Sequence, residues 1–303
     1  MEVAGQRIQV PIGESVDVFL LGDIHEGHVN MDDAALNRAI EIIQENIANN
    51  PHTYVILMGD LAECITSGND PRWDPLAVDE KYDIQDLKDL PKRQIEIVYD
   101  YLKPIKDSIV CVLHGNHEEN LVKRGRGDVI EYLVHGMRGD EQKPLPNAYK
   151  LGYDGFYIFR VELRKNHTHT ITFALNHGVG GGGRTEGHFI NSTFNNFNNW
   201  EGADFYICGH GHRLLAFEKK RLAVDTRNLR VIEGKTWYGM SGCFLRTYKE
   251  GTRSYAEGRG WPLSDIGMLK ATFSLGRHRN ANGVERSIVK YTKLSEIHLG
   301  GEL

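Results

Sequence analysis

No apolar run in this 303-residue chain approaches the roughly 18 residues of a membrane-spanning helix. The opening MEVAGQRIQV also lacks the basic region and apolar stretch of a secretory signal, so a cytoplasmic protein with no membrane contact is expected. Cysteine is sparse. Cys64, Cys111, Cys208 and Cys243 stand far apart without a CxxC pair, mostly in apolar surroundings, which predicts reduced core thiols rather than disulfides. Basic residues are not in excess: 36 Lys and Arg against 41 Asp and Glu give a net charge of -5. That argues against a general nucleic-acid footprint and leaves room for a local basic groove. Internal repeats and clear linkers are absent too, so 1–303 reads as a single domain, long enough to bury a sizeable core.

What is present is a series of short, continuous apolar runs. VDVFLLG (Val16 to Gly22), TYVILMG (Thr53 to Gly59) and SIVCVLHG (Ser108 to Gly115) read as strands buried on both faces. Helical patterns separate them, from about Asp32 to Asn49 and from about Leu90 to Tyr101, which implies parallel βαβαβ pairing and an α/β fold. GFYIFRVEL and HTITFALN then predict a hairpin across RKNHT. ADFYICG predicts another buried strand, and Arg230 to Glu233, Lys235 to Met240 and Ser287 to Thr292 predict short ones. Glycine and charge dominate from about 241 to 285, and that segment is expected to be irregular.

In an α/β sheet, chemistry gathers beyond the carboxyl ends of the strands. Here the first run ends in GDIHEGH, with Asp23 and His25, and the second in GDLAE, with Asp60. The third ends in GNHEE, with Asn116 and His117; the hairpin ends in NHG, with His177; and ADFYICG ends in GHGH, with His210 and His212. A lone histidine at a strand end is usually structural, but so many at the same end point to a metal. Aspartate, asparagine and histidine together suit Mn, Fe, Zn, Co or Ni better than the all-oxygen sites of Mg or Ca. The absence of cysteine among them disfavours a structural zinc. Alternate residues of DxH and HxH point the same way and can share one ion. Six or more ligands exceed one tetrahedral site, so two divalent transition-metal ions are expected.

In this order, GDIH, GDLAE, GNHEE, NHG and GHGH resemble the motifs of the calcineurin-like metallophosphoesterase superfamily, over about Asp23 to His212. The resemblance implies a β-sandwich of two mixed sheets flanked by helices, in αββα layers. It assigns one metal to Asp23, His25 and His212, the other to Asn116, His177 and His210, and makes Asp60 the bridge. His117 would contact the substrate phosphate or protonate the leaving oxygen. Glu26 stands where many members have glycine, which would alter the rim of the pocket. HGVGGGGRTEG is similar to a glycine-rich segment of bacteriophage-encoded metallophosphoesterases.

The implied activity is hydrolysis of a phosphate ester by metal-activated water, with a nucleotide or nucleic-acid diester as the first expectation and manganese as the first choice of metal. A phosphomonoesterase or protein phosphatase would use the same residues. A non-catalytic interaction module on this fold would show substituted ligands, and none is substituted. Arg184, after four glycines, and Glu118 are weaker candidates for substrate binding, Glu118 through tuning of the His117 ring. Arg213 and Arg246 are candidate cleft residues, His28 and His114 peripheral ones. FNNFNNW could stack on bases, but Phe194, Phe197 and Trp200 recur at helical spacing and predict a packed face. The basic stretches EKKRLAVDTRNLR and GRHRNANGVER read as solvated faces.

Overall fold

A computed structural model describes residues 1–300, apart from 67–69, 71, 137–142, 165–166, 180–182, 184, 227, 253–259 and 280–284. The three continuous apolar runs form β2 (Ser15–Leu21), β3 (Thr53–Leu57) and β4 (Ile109–Val112). Between them lie α1 (Asp33–Asn49) and α2 (Leu90–Leu102), so that β2, β3 and β4 pair in parallel. Asp32 opens α1 by accepting from Ala35 N at 3.0 Å, and Pro91 sits in the first turn of α2, where its missing N–H costs nothing. Helices α3 (Asn116–Lys123) and α4 (Val129–His135) follow β4, and β5 (Tyr149–Lys150) closes that edge.

The other sheet combines β1 (Glu2–Gln9), the hairpin β6 (Asp154–Arg164) and β7 (His167–Asn176), then β8 (Phe205–Cys208), β9 (Leu214–Asp225) and β10 (Arg230–Ser241). Helix α5 (Glu186–Asn196) connects β7 to β8. Finally β11 (Gly267–Arg279) and β12 (Glu285–His298) return to the first sheet beside β2, giving the order β12-β11-β2-β3-β4-β5 against β1-β6-β7-β8-β10-β9. Both sheets mix parallel and antiparallel pairs, as the resemblance implied.

Alternation along each strand explains the layers. In β2, Val18 and Leu20 join Ile56, Phe159, Phe173 and Ile207 between the sheets. Phe19 and Leu21 face the other way, onto Leu36 and Ile43 of α1 and Val98 of α2. On the outer face of the second sheet, Phe189 and Phe197 pack over Tyr206 and Tyr238, with Phe194 and Trp200 beside them. The FNNFNNW aromatics are thus a packed face, and its asparagine-rich approach is helical.

Two expectations need correction. The segment from about 241 to 285 is not irregular throughout, because β11 occupies its second half with Met268, Leu269, Ala271, Phe273 and Leu275 buried. Lys270, Thr272 and Ser274, on the intervening positions, disguise it. The two short strands at Arg230 to Met240 are one continuous strand, and the charged EKKRLAVD belongs to its partner β9. All four cysteines are buried free thiols, as expected.

Phe159 lies at the centre of the sandwich, with Tyr54, Tyr157, Phe173 and Phe273 at ring-centroid distances of 5.2, 5.1, 5.8 and 5.7 Å. Phe159→Ala should cost about 3–5 kcal/mol in urea unfolding; a loss under about 1 kcal/mol would show the sandwich core to be elsewhere.

Candidate metal centre

The loops after β2 and β3 run on side by side beyond their strands: Asp23 N donates to Gly59 O at 2.9 Å, His25 N to Asp60 O and Glu26 N to Leu61 O at 3.0 Å. The loops after β7 and β8 meet in the same way, Gly209 N donating to His177 O at 2.9 Å. The backbone turns sharply to do this. Asp23, His25, Asp60, His210 and His212 all have positive φ, at 50, 55, 48, 65 and 51°. Non-glycine residues enter that region at a cost of about 1–3 kcal/mol each, typically where function requires it. These turns bring Asp23, His25 and His212 together in one group and Asp60, His177 and His210 in another, with donor atoms in each within 4.8 Å of one another. His25, Asp60 and His117 form a third such group.

Asp60 joins the groups. Its Oδ1 accepts from His117 N at 2.9 Å, and its Oδ2 faces His177 Nε2 at 3.2 Å, His25 Nε2 at 3.8 Å and His117 Nε2 at 4.0 Å. Asn116 Oδ1 also lies 3.2 Å from His177 Nε2, and Asp23 Oδ1 lies 3.4 Å from His212 Nε2. All the residues proposed as ligands therefore converge. Asp23, His25, Asp60 and His177 are buried, while Asn116, His210 and His212 are partly exposed and mark the open side.

The orientation of the rings tests whether a cation fits. His25 Nδ1 meets Glu63 Oε2 at 2.8 Å, His117 Nδ1 meets Glu63 O at 2.6 Å, and His177 Nδ1 meets Met58 O at 2.8 Å. Each acceptor fixes the proton on Nδ1 and turns the Nε2 lone pair inward, the arrangement typical of ligating histidine. Those lone pairs then face other acceptors: His177 Nε2 meets the two oxygens of Asp60 and Asn116, and His25 Nε2 lies 3.1 Å from His212 Nε2. Such contacts repel unless a proton or a cation lies between them. The donor set fits borderline divalent ions.

Protons fill that role in the cation-free chain. Burial disfavours charge on His25, but the Glu63 carboxylate and then Asp60 outweigh it and push its pKa up to about 9. For His177, burial is likewise outweighed, by Asp60 foremost, and the pKa rises to about 10. Asp60 itself is held well below the carboxylate range, burial being overcome by His177 and His117.

Glu118 is not a tuner of the His117 ring. It is fully buried, and its carboxylate accepts from the backbone N–H groups of Asp60 (3.1 Å), Leu61 (2.6 Å), Ala62 (3.1 Å) and Gly115 (2.9 Å). Third in helix α3, it is committed to these amides because they would otherwise be orphaned in the turns after β3 and β4. Those turns touch: a Cβ on Gly115 would lie 2.0 Å from Asp60 Oδ1, and one on Gly59 2.5 Å from Gly115 N.

The part expected of Glu118 falls to Glu63, whose Oε2 lies 2.8 Å from His25 Nδ1 and 3.6 Å from His117 Nδ1. Burial raises its pKa, but His117 and His25 together bring it down to about 2. The only signal in the sequence was an acid at the end of GDLAE. Arg72 was also missed, and its Nη1 lies 3.3 Å from His117 Nε2. Arg184 lies outside the described residues. Glu26 does not shape an open rim; it is buried against Lys81 (2.8 Å) and the Tyr82 hydroxyl (2.6 Å). Arg246 forks onto Asp32, Arg213 meets Asp265 and Leu263 O, His28 accepts from Asn30 N, and His114 lies between Asp128 and Glu119.

No family model and no curated protein matches the chain. Among solved structures it is similar to GAP50, the anchor in the inner membrane complex of Plasmodium, at 13% identity over 95% of this chain and 90% of that one, with a TM-score of 0.45. It is also similar to Vps29 of Chaetomium thermophilum, at 9% identity over 93% and 97%, with a TM-score of 0.35. Likenesses so distant carry no argument about chemistry, which rests on the residues above. Among the described residues no helix is long and apolar enough to cross a membrane.

Two outcomes follow. Glu118→Gln places an amide NH₂ against backbone donors and should cost about 1–3 kcal/mol in urea unfolding while weakening divalent-ion binding in calorimetry; unchanged values in both would contradict the clamp. The raised pKa values of His25 (about 9) and His177 (about 10) give stability that is complete below the ordinary imidazole value of 6.5 and lost as pH rises through 9 to 10. The melting temperature of metal-stripped protein should fall across that window, and saturating divalent ion should flatten the fall by replacing the protons. Melting curves of stripped protein that are flat between those limits would refute it.

Proposed function

We propose that this protein is a two-metal phosphoesterase of the calcineurin-like kind, hydrolysing phosphodiesters of nucleotides or nucleic acid. The observation that carries the reading is the set of inward Nε2 lone pairs, each fixed by an Nδ1 contact and each facing a further acceptor, around one shared carboxylate oxygen of Asp60. Asp23, His25 and His212 would hold one ion and Asn116, His177 and His210 the other, with Asp60 between them; manganese is our first choice. When bound, such ions supply Lewis acidity, lowering the pKa of water and drawing charge from a phosphoryl group.

The chain's own contribution lies at the open side. His117 is locked by Glu63 O, so its Nε2 is the atom available to substrate. In the resting protein that atom accepts from Arg72. A phosphoryl oxygen arriving beside Arg72 would draw the guanidinium away and leave Nε2 free to take up a proton from water and then deliver it to the leaving oxygen. Proton delivery matters most for a poor alkoxide leaving group, which favours the diester reading over the monoester.

The test compares manganese-loaded protein on bis(p-nitrophenyl) phosphate and p-nitrophenyl phosphate. Turnover of the diester should predominate, and Asp60→Ala should abolish it. His117→Asn should lower kcat by about 10²–10⁴-fold on an alkyl diester and far less on the nitrophenyl ester, whose leaving group needs no proton. Wide preference for the monoester, or full activity in Asp60→Ala, would sink the proposal.

A further inference from the structure

Beside the candidate metal centre, three arginines converge on Thr66 and Asp70, in the segment that follows Asp60. Arg72 is gripped by Asp70, with Nε 3.0 Å from Oδ1 and Nη2 2.9 Å from Oδ2, while its backbone N donates to the same Oδ1 at 3.0 Å. A forked grip fixes the guanidinium plane. The remaining edge, Nη1, is thereby aimed at His117 Nε2, 3.3 Å away.

The other two arginines come from the far end of α3. Gly125, at φ 67°, reverses the chain there, and Arg126 N returns to Leu121 O at 3.0 Å. The reversal sends both flanking side chains toward the loop: Arg124 Nη2 reaches Asp70 Oδ2 at 3.4 Å, and Arg126 Nη1 donates to Thr66 Oγ1 at 2.8 Å. Arg72 and Arg124 thus share one buried carboxylate, and both remain about one third exposed, at 33% and 34%. The cluster carries net positive charge, faces solvent, and begins at the histidine that would meet the substrate.

We propose that Arg72, Arg124 and Arg126 form a second anion subsite on the rim, which takes a phosphate group adjoining the one hydrolysed. The inference rests on the phosphoesterase reading and narrows it to substrates bearing two phosphates. Arg72 holds the inner position, able to pass from His117 to a phosphoryl oxygen without leaving Asp70, and Arg124 and Arg126 meet the outer phosphate. A staple between loop and helix would account for the ion pairs alone. It would not account for a donor edge turned onto His117.

Two sources supply adjoining phosphates, a nucleotide chain and a pyrophosphate linkage. The test therefore uses two pairs of compounds: a thymidine dinucleotide with and without a 5′-phosphate, and thymidine diphosphate against monophosphate. For manganese-loaded wild type, kcat/KM should favour the doubly phosphorylated member of at least one pair by about tenfold or more, and Arg124→Ala/Arg126→Ala should bring that ratio close to one. The pair that responds identifies the source. Ratios near one in the wild type, or ratios unchanged in the variant, would overturn the subsite, since a mere staple would change both members equally. Calorimetric affinities for the same compounds give the ratio without turnover. A protein that hydrolyses neither these compounds nor bis(p-nitrophenyl) phosphate would fail the phosphoesterase reading, while the affinity ratios would still decide on the rim.

Discussion

A carboxylate with 1% of its surface exposed, Asp60, faces three imidazoles through one oxygen, and much of the molecule is arranged to make that tolerable. Asp23 is buried completely in the same floor. Buried negative charge is expensive unless it is paired, and here the pairing is adjustable. Protons on the histidines or cations among them can both supply it. That is why each ring is tethered by its far nitrogen, and why the tethers are themselves a carboxylate or main-chain carbonyls.

The sandwich makes such a floor possible. Because β2, β3, β7 and β8 are covered on both faces, their ends are held rigidly enough to keep side chains from different strands within hydrogen-bond reach. Glu118 extends that rigidity past the strands, gathering consecutive amides of the Asp60 turn onto the first turn of α3. The two glycines where these turns touch leave no space for a methyl group. Positions of the candidate ligands are thus set by backbone packing alone.

Much of this was legible in the chain. Strands buried on both faces leave continuous apolar runs, and polar groups that end such runs are conspicuous, so β2, β3, β4, β7 and β8 and their terminal residues could all be read. Strands with one exposed face or a charged partner were not: β9 reads as a basic surface stretch, and β11 hides its apolar alternation behind Lys270, Thr272 and Ser274. Contacts made by loops were illegible for a different reason. Whether Glu118 or Glu63 meets the His117 side depends on how the turn after β3 folds back, and local sequence carries no periodicity that fixes it. Arg72 reaches the centre through the same kind of loop, with Asp70 as its only local hint.

The positive φ angles at Asp23, His25, Asp60, His210 and His212 bear on how such a protein can change over time. Glycine or asparagine would occupy those turns with less strain, and the hydrophobic sandwich beneath would keep its packing. Replacing these side chains would therefore relax the fold itself. Carrying aspartate or histidine at all five turns leaves this chain at a less relaxed sequence than its architecture alone would favour.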